Sequence, residues 1–240
     1  VKIRNAFLRI AAGSVTLFAA YSALLCFPEP LFSFSVRADS LVLHSDRAIP
    51  EAARRNVLEL AETKLKRSPL YSQKEVIDVF ICNSRWRQMI FFNKDYGAGG
   101  VVQYEISPNV FLRDASMENN RLISPRGVPV AGDRTLDYFI AHEVTHQLTG
   151  RALGRWRFYR LPQWVREGYA DYVGKGPSFD YDRARQAFLE GAPEMDWQTS
   201  GLYSRFHLLV AYLLDRRGWS VDRLLRDPPT QENVEGEIRR

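Results

Sequence analysis

Five consecutive residues, His142-Glu143-Val144-Thr145-His146, carry the most specific chemistry in this sequence. On a helix, residues four apart share a face, so both imidazoles can reach one metal ion. Neutral imidazole is a good zinc ligand. Glu143, next to the first histidine, can take a proton from a water polarised by that metal. Phe139, Ile140, Val144 and Leu148 fall on the other side, which makes a helix with an apolar back and a chemical front. Strings of this kind also arise by chance, and a surface helix with two histidines is the simpler alternative.

The residues that follow weigh against chance. Leu161-Pro162-Gln163-Trp164-Val165-Arg166-Glu167-Gly168-Tyr169-Ala170-Asp171 opens a second helix. Glu167 comes 21 positions after His146, which leaves room for a loop and a reversal. It would complete a three-residue ligand set and leave a fourth position open. Asp171, four residues on, can hydrogen-bond the free nitrogen of a ligand histidine and fix its tautomer.

HExxH followed about twenty residues later by ExxxD resembles the gluzincins, the zinc peptidase clan that includes thermolysin. Pro-x-Trp-x-x-Glu-Gly-x-Ala-x-Tyr, here Pro162 to Tyr172, is similar to the peptidase-MA-like bacterial proteins of that clan. The likeness covers Asp133 to about Gly174, extends weakly to Gly201–Arg217 and covers little of the first hundred residues. It implies one zinc ion held by His142, His146 and Glu167, with Glu143 as general base and Asp171 behind His142. It implies hydrolysis of peptide bonds in a peptide or protein substrate. Metzincins need a third histidine shortly after the second, and the only later one here is His207. Gluzincins also place a tyrosine or histidine from a downstream helix on the oxyanion. Tyr203 is the first candidate and His207 the second, with Tyr159 and Tyr169 behind them. Simple packing among Leu202, Phe206, Leu209, Val210 and Leu213 is the alternative for both. An edge strand beside the active-site helix should pair with substrate, and Val101–Ile106 or Asn109–Leu112 fits, with Gly97–Gly100 as a mobile turn.

Two other functions remain open. An aminopeptidase would carry a Gly-x-Met-Glu-Asn-type string for the free amine. Met117-Glu118-Asn119 is present, but Ala115-Ser116 stand where the glycine context belongs. A binding or scaffold protein could retain the zinc site without cleaving anything, although every catalytic position of the motif is filled.

The elements that position these residues read as α+β, with strands first and helices later. Strands are expected at Leu41–His44, Val76–Cys82, Val101–Ile106 and Asn109–Leu112, and the resemblance implies that they form a small mixed sheet of zincin type. Helices are expected from Pro50 to the Ser68-Pro69 stop and at Arg85–Phe92. The mainly helical half has helices at Thr135–Thr149, Gln163–Val173, Asp180–Leu189 and Gly201–Arg217, with Gly150 and Gly174 read as stops. Arg113–Gly132 reads as a polar loop.

The chain has 240 residues, 45% hydrophobic and 25% charged, enough for one well-buried catalytic domain. The net charge of +5 has no obviously basic face, and Arg155–Arg160 reads as a solvated loop with snorkelling side chains. No nucleic-acid partner is therefore expected. Cys26 and Cys82 are not expected to pair.

Lys2, Arg4 and Arg9 precede an uncharged run from Ile10 to Phe27. That length predicts one N-terminal transmembrane helix, a signal anchor over residues 1–28. It implies a single-pass protein at the cell membrane, with the catalytic domain of residues 39–226 on the extracytoplasmic side and a polar tail at 227–240. Val36-Arg37-Ala38 offers a cleavage site and thus secretion, and Ala23-Leu24-Leu25-Cys26 a poor lipoprotein box, because Leu25 is too large. A buried core helix is the remaining alternative.

Overall fold

Ile77–Cys82 puts Ile77, Val79 and Ile81 on one face and Phe80 and Cys82 on the other, and is buried on both, as a central strand with parallel neighbours must be. In the computed structural model, residues 2–240 are described, with side chains from residue 11 onward. The chain opens with helix α1 (Lys2–Cys26) and a hairpin, β1 (Phe34–Ala38) and β2 (Leu41–Ser45). A π-helical segment, Arg54–Glu59, leads into α2 (Leu60–Leu65). Then come β3 (Ile77–Cys82), α3 (Arg85–Phe92), β4 (Gly100–Val102), β5 (Val110–Arg113) and a small pair, β6 (Ala115–Ser116) with β7 (Arg121–Leu122). The second half is helical: α4 (Leu136–Leu153), α5 (Arg155–Arg160), α6 (Gln163–Lys175), α7 (Tyr181–Glu190), α8 (Trp197–Ser200), α9 (Ser204–Ala211), α10 (Val221–Arg226) and α11 (Gln231–Ile238).

The main sheet has the order β1-β2-β3-β5-β4. β3 runs parallel to β2 and β5, and the two outer strands are antiparallel to their neighbours, so the sheet is mixed. Successive side chains on a strand point to opposite faces, and the sheet therefore serves two cores. Leu41, Leu43, Val79, Ile81, Val110 and Leu112 join the large core with Ile140, Val144 and Val165. Phe80, Cys82 and Phe111 face the other way, onto Phe32, Phe91 and Phe92.

The expected transmembrane helix is not found. No described helix is long and apolar enough to cross a membrane. Ser14, Thr16, Tyr21 and Ser22 dilute the apolar run with hydroxyl groups. Its last turn is committed to the protein's own second core, where Leu25 is fully buried. The Leu25 carbonyl accepts hydrogen bonds from Ser107 Oγ (2.8 Å) and Asn109 Nδ2 (2.9 Å). Tyr21 Oη donates to the Ile90 carbonyl at 3.0 Å. The side chains of Lys2, Arg4 and Arg9 lie outside the described residues.

Other expectations also shift. Gly150 does not stop α4, which runs on to Leu153. Its missing side chain makes room for the Tyr104 ring, whose Cγ would lie 2.6 Å from an added Cβ. Gly174 likewise lies inside α6, which ends at Lys175 before Gly176. Arg155–Arg160 is helix α5, with Phe158 turned inward, rather than a solvated loop. The polar loop holds β6 and β7. Residues 227–240, expected as a polar tail, contain α11, whose Val234 and Ile238 are buried and whose Glu235 pairs with Arg205. Cys26 and Cys82 are both free, as expected.

At Gly168, α6 comes close against α9. A Cβ there would stand 2.6 Å from the Phe206 carbonyl oxygen, a backbone atom that cannot rotate away. Gly168→Ala should therefore lower stability by about 1–3 kcal/mol, read as a lower urea midpoint. An unchanged midpoint would show that the two helices slide apart freely.

Candidate metal centre

α4 and α6 lie side by side because each buries an apolar stripe in the large core. Leu136, Ile140, Ala141 and Val144 do so on α4, and Trp164, Val165 and Val173 on α6. The opposite stripes then face each other. From α4 come His142, Glu143 and His146, and from α6 come Glu167 and Asp171.

His142 Nε2 lies 3.1 Å from His146 Nε2. Glu167 Oε2 lies 3.6 Å from the first of these and 3.4 Å from the second. Among the described residues this is the one group of three histidine, cysteine or carboxylate side chains placed to hold a metal ion. Tetrahedral zinc with bonds of about 2.0–2.1 Å has ligand atoms about 3.3 Å apart. The triangle fits that spacing, and two imidazoles with one carboxylate are a zinc-type donor set. The other Glu167 oxygen, Oε1, accepts from Arg166 Nε at 3.3 Å, which leaves Oε2 for the triangle.

The charges around the triangle favour a cation. Burial alone would lower the His142 pKa, but Glu167, Glu143 and Asp171 outweigh it and raise it. Burial would raise Glu167, yet His146 and His142 hold it well below the usual carboxylate range. Glu143 goes the other way: burial lifts its pKa, and the two histidines offset only part of the rise. One carboxylate is thus held ionised while its neighbour can carry a proton. Environment alone separates the two carboxylates.

The triangle opens into a cleft of about 820 Å³. β4 forms one wall, and Phe139, Phe158, Tyr159 and Tyr203 line others. β4 is an edge strand with a neighbour on one side only, so alternate backbone amides are left unpaired by the sheet. Of the expected substrate strand Val101–Ile106, only Val101 and Val102 are extended, as part of β4, and Asn109–Leu112 corresponds to β5 inside the sheet.

Tyr203 caps the start of α9 and lies parallel to the His142 ring, with centroids 6.0 Å apart. Burial, Glu167 and Glu143 raise its pKa, so it stays a neutral phenol. His207 does not reach the cleft. It is buried behind the site, and its Nδ1–H donates to Asp171 Oδ2 at 2.9 Å. Tyr159 stands at the rim and donates to Glu105 Oε1 at 2.5 Å. Tyr169 is buried in the core against Ser68 Oγ. Met117-Glu118-Asn119 is not among the residues that line the cleft.

Asp171 is not bonded directly to His142 as expected. The Tyr138 hydroxyl stands between them, 2.6 Å from Asp171 Oδ1 and 3.4 Å from His142 Nδ1. Sequence reasoning missed Tyr138, although it precedes His142 by four residues on the same helix face. It also missed Lys175, whose Nζ lies 3.5 Å from Asp171 Oδ2. Searches against protein-family models and curated protein sequences return no match.

Burial would raise the Asp171 carboxyl, but the hydrogen bond from His207, the Lys175 charge and the Tyr138 hydroxyl hold it below the usual carboxylate range. A carboxyl that titrates below its unfolded value of 3.8 stabilises the fold above that value, and the contribution is lost as pH falls. Asp171→Asn should melt lower than the wild type near neutral pH. It should also show a shallower loss of Tm between about pH 5 and pH 2. Parallel Tm-versus-pH curves would argue against this assignment.

Proposed function

We propose that this protein is a zinc-dependent metallopeptidase that hydrolyses peptide bonds in peptide or protein substrates. The observation that carries the reading is the ligand triangle of His142, His146 and Glu167 beside Glu143, at the floor of a cleft walled by an edge strand. The resemblance of HExxH…ExxxD to the gluzincins supports the same reading.

His142 and His146 through Nε2 and Glu167 through Oε2 would hold the ion. A bound zinc ion supplies Lewis acidity to a water molecule and to the scissile carbonyl. Glu143, with its pKa raised, accepts the proton of the attacking water and returns it to the leaving amine. Its side chain lies against Gly100 of β4, so the proton acceptor sits beside the strand that would align the substrate. The edge amides of β4 pair with an extended peptide backbone, independently of its sequence. Tyr203, a neutral phenol, donates a hydrogen bond to the oxyanion as it develops. Internal cleavage is favoured over amino-terminal trimming, because the Met117–Asn119 string does not line this cleft.

The protein should bind one zinc ion per chain by metal analysis and cleave members of an N-blocked peptide library. Glu143→Gln should keep the zinc and lose about 10²–10⁴-fold in kcat/KM. Glu167→Ala should lose the zinc. Zinc at one equivalent with no cleavage by the wild type would favour a binding or scaffold role. Trimming of free-amine dipeptide analogues alone would favour an aminopeptidase. No zinc at all would overturn the proposal.

A further inference from the structure

We propose that Tyr138 is the positioning residue of the metal site: its hydroxyl relays the Asp171 carboxylate to His142 and fixes the tautomer that presents Nε2 to the cleft. The inference rests on the metal-site reading above and deepens it.

The argument is a count of protons. A tyrosine hydroxyl has one proton to donate. The Tyr138 proton goes to Asp171 Oδ1, the shorter contact at 2.6 Å and the one with the ionised partner. Toward His142 the same oxygen is then an acceptor. In the neutral imidazole that a metal requires, His142 Nδ1, 3.4 Å away, then carries the hydrogen and Nε2 keeps its lone pair. Nε2 is the atom that faces His146 and Glu167.

The far end of the relay is fastened just as firmly. Asp171 has 1% of its side chain exposed, and its second oxygen takes the His207 Nδ1–H at 2.9 Å. Lys175 stands 3.5 Å from that oxygen. The His207 ring is stacked on Phe179 with centroids 3.6 Å apart. Neither Asp171 oxygen is free to turn toward His142 without breaking one of these contacts. The buried His207 thus acts on the metal site at third hand, by holding the carboxylate that holds the tyrosine. His146 has no comparable partner: among the described residues no hydrogen bond reaches its Nδ1. The two ligand histidines are therefore unequal, one held by a buried chain of hydrogen bonds and the other by its helix.

The test compares the full chain with Tyr138→Phe, which keeps the ring and removes the hydroxyl. Zinc affinity is measured by competition with a chromophoric chelator, and folding by thermal melts. Tyr138→Phe should still melt cooperatively but bind zinc about 10–100-fold more weakly. Proton NMR of the zinc-loaded wild type supplies a readout that packing alone would not move. The His142 Nδ1–H should be protected from exchange, and the His146 Nδ1–H should not. Zinc affinity within twofold of wild type in the variant would overturn the relay and leave the metal site standing. Equal exchange at the two histidines would do the same even if the variant failed to fold. A wild type that binds no zinc would overturn both readings.

Discussion

Two helices packed side by side hold two imidazole nitrogens and a carboxylate oxygen within 3.6 Å of one another. Groups that all present lone pairs do not gather of their own accord. The apolar stripes of α4 and α6 drive the association, and the polar stripes come together as a consequence. α9 packs on the back of α6, close enough at Gly168 to exclude a methyl group. The cluster is thus a product of helix packing, and any change in how these helices meet is felt at His142, His146 and Glu167.

Behind His142, His146 and Glu167 sits a second polar layer that the packing must also accommodate. Asp171 is a buried charge, and such a group is tolerated only where hydrogen bonds and a counter-charge satisfy it. Tyr138, His207 and Lys175 supply these from α4, from α9 and from α6 itself. Three helices are tied to one carboxylate, which gives the site a rigid rear wall. The front is different. β4 has only β5 beside it, and the strand edge is open along the cleft. The fold therefore combines a fixed cluster of two histidines and a carboxylate with an accessible strand edge.

Where local sequence and fold disagreed, tertiary contacts account for the difference. Gly150 and Gly174 looked like helix stops, yet each lies under an aromatic ring, Tyr104 and Tyr138 respectively, and the helices continue. The uncharged run from Ile10 to Phe27 had the length of a membrane span. Its last turn instead places Leu25 among Phe32, Phe80, Phe91 and Phe111, a core assembled from distant strands. The final helix was overlooked because only Val234 and Ile238 in it are large and apolar, and their value comes from what they meet.

The sequence by itself determined that His142 and His146 share one face, because i,i+4 spacing on a helix depends on backbone geometry alone. It also carried the α+β class and the pairing of the two motif helices, since both signals are periodic and local. Only the tertiary structure decided which partner each buried group takes. Asp171 was read as the direct neighbour of His142, but its oxygens are taken by Tyr138 and His207. His207 was a candidate for the cleft and lies behind it. The edge strand shrank to Gly100–Val102 because the chain turns away where the sheet ends. The reason is the same in each case. Spacing along one helix sets which residues share a face, but only the meeting of several elements sets what that face touches.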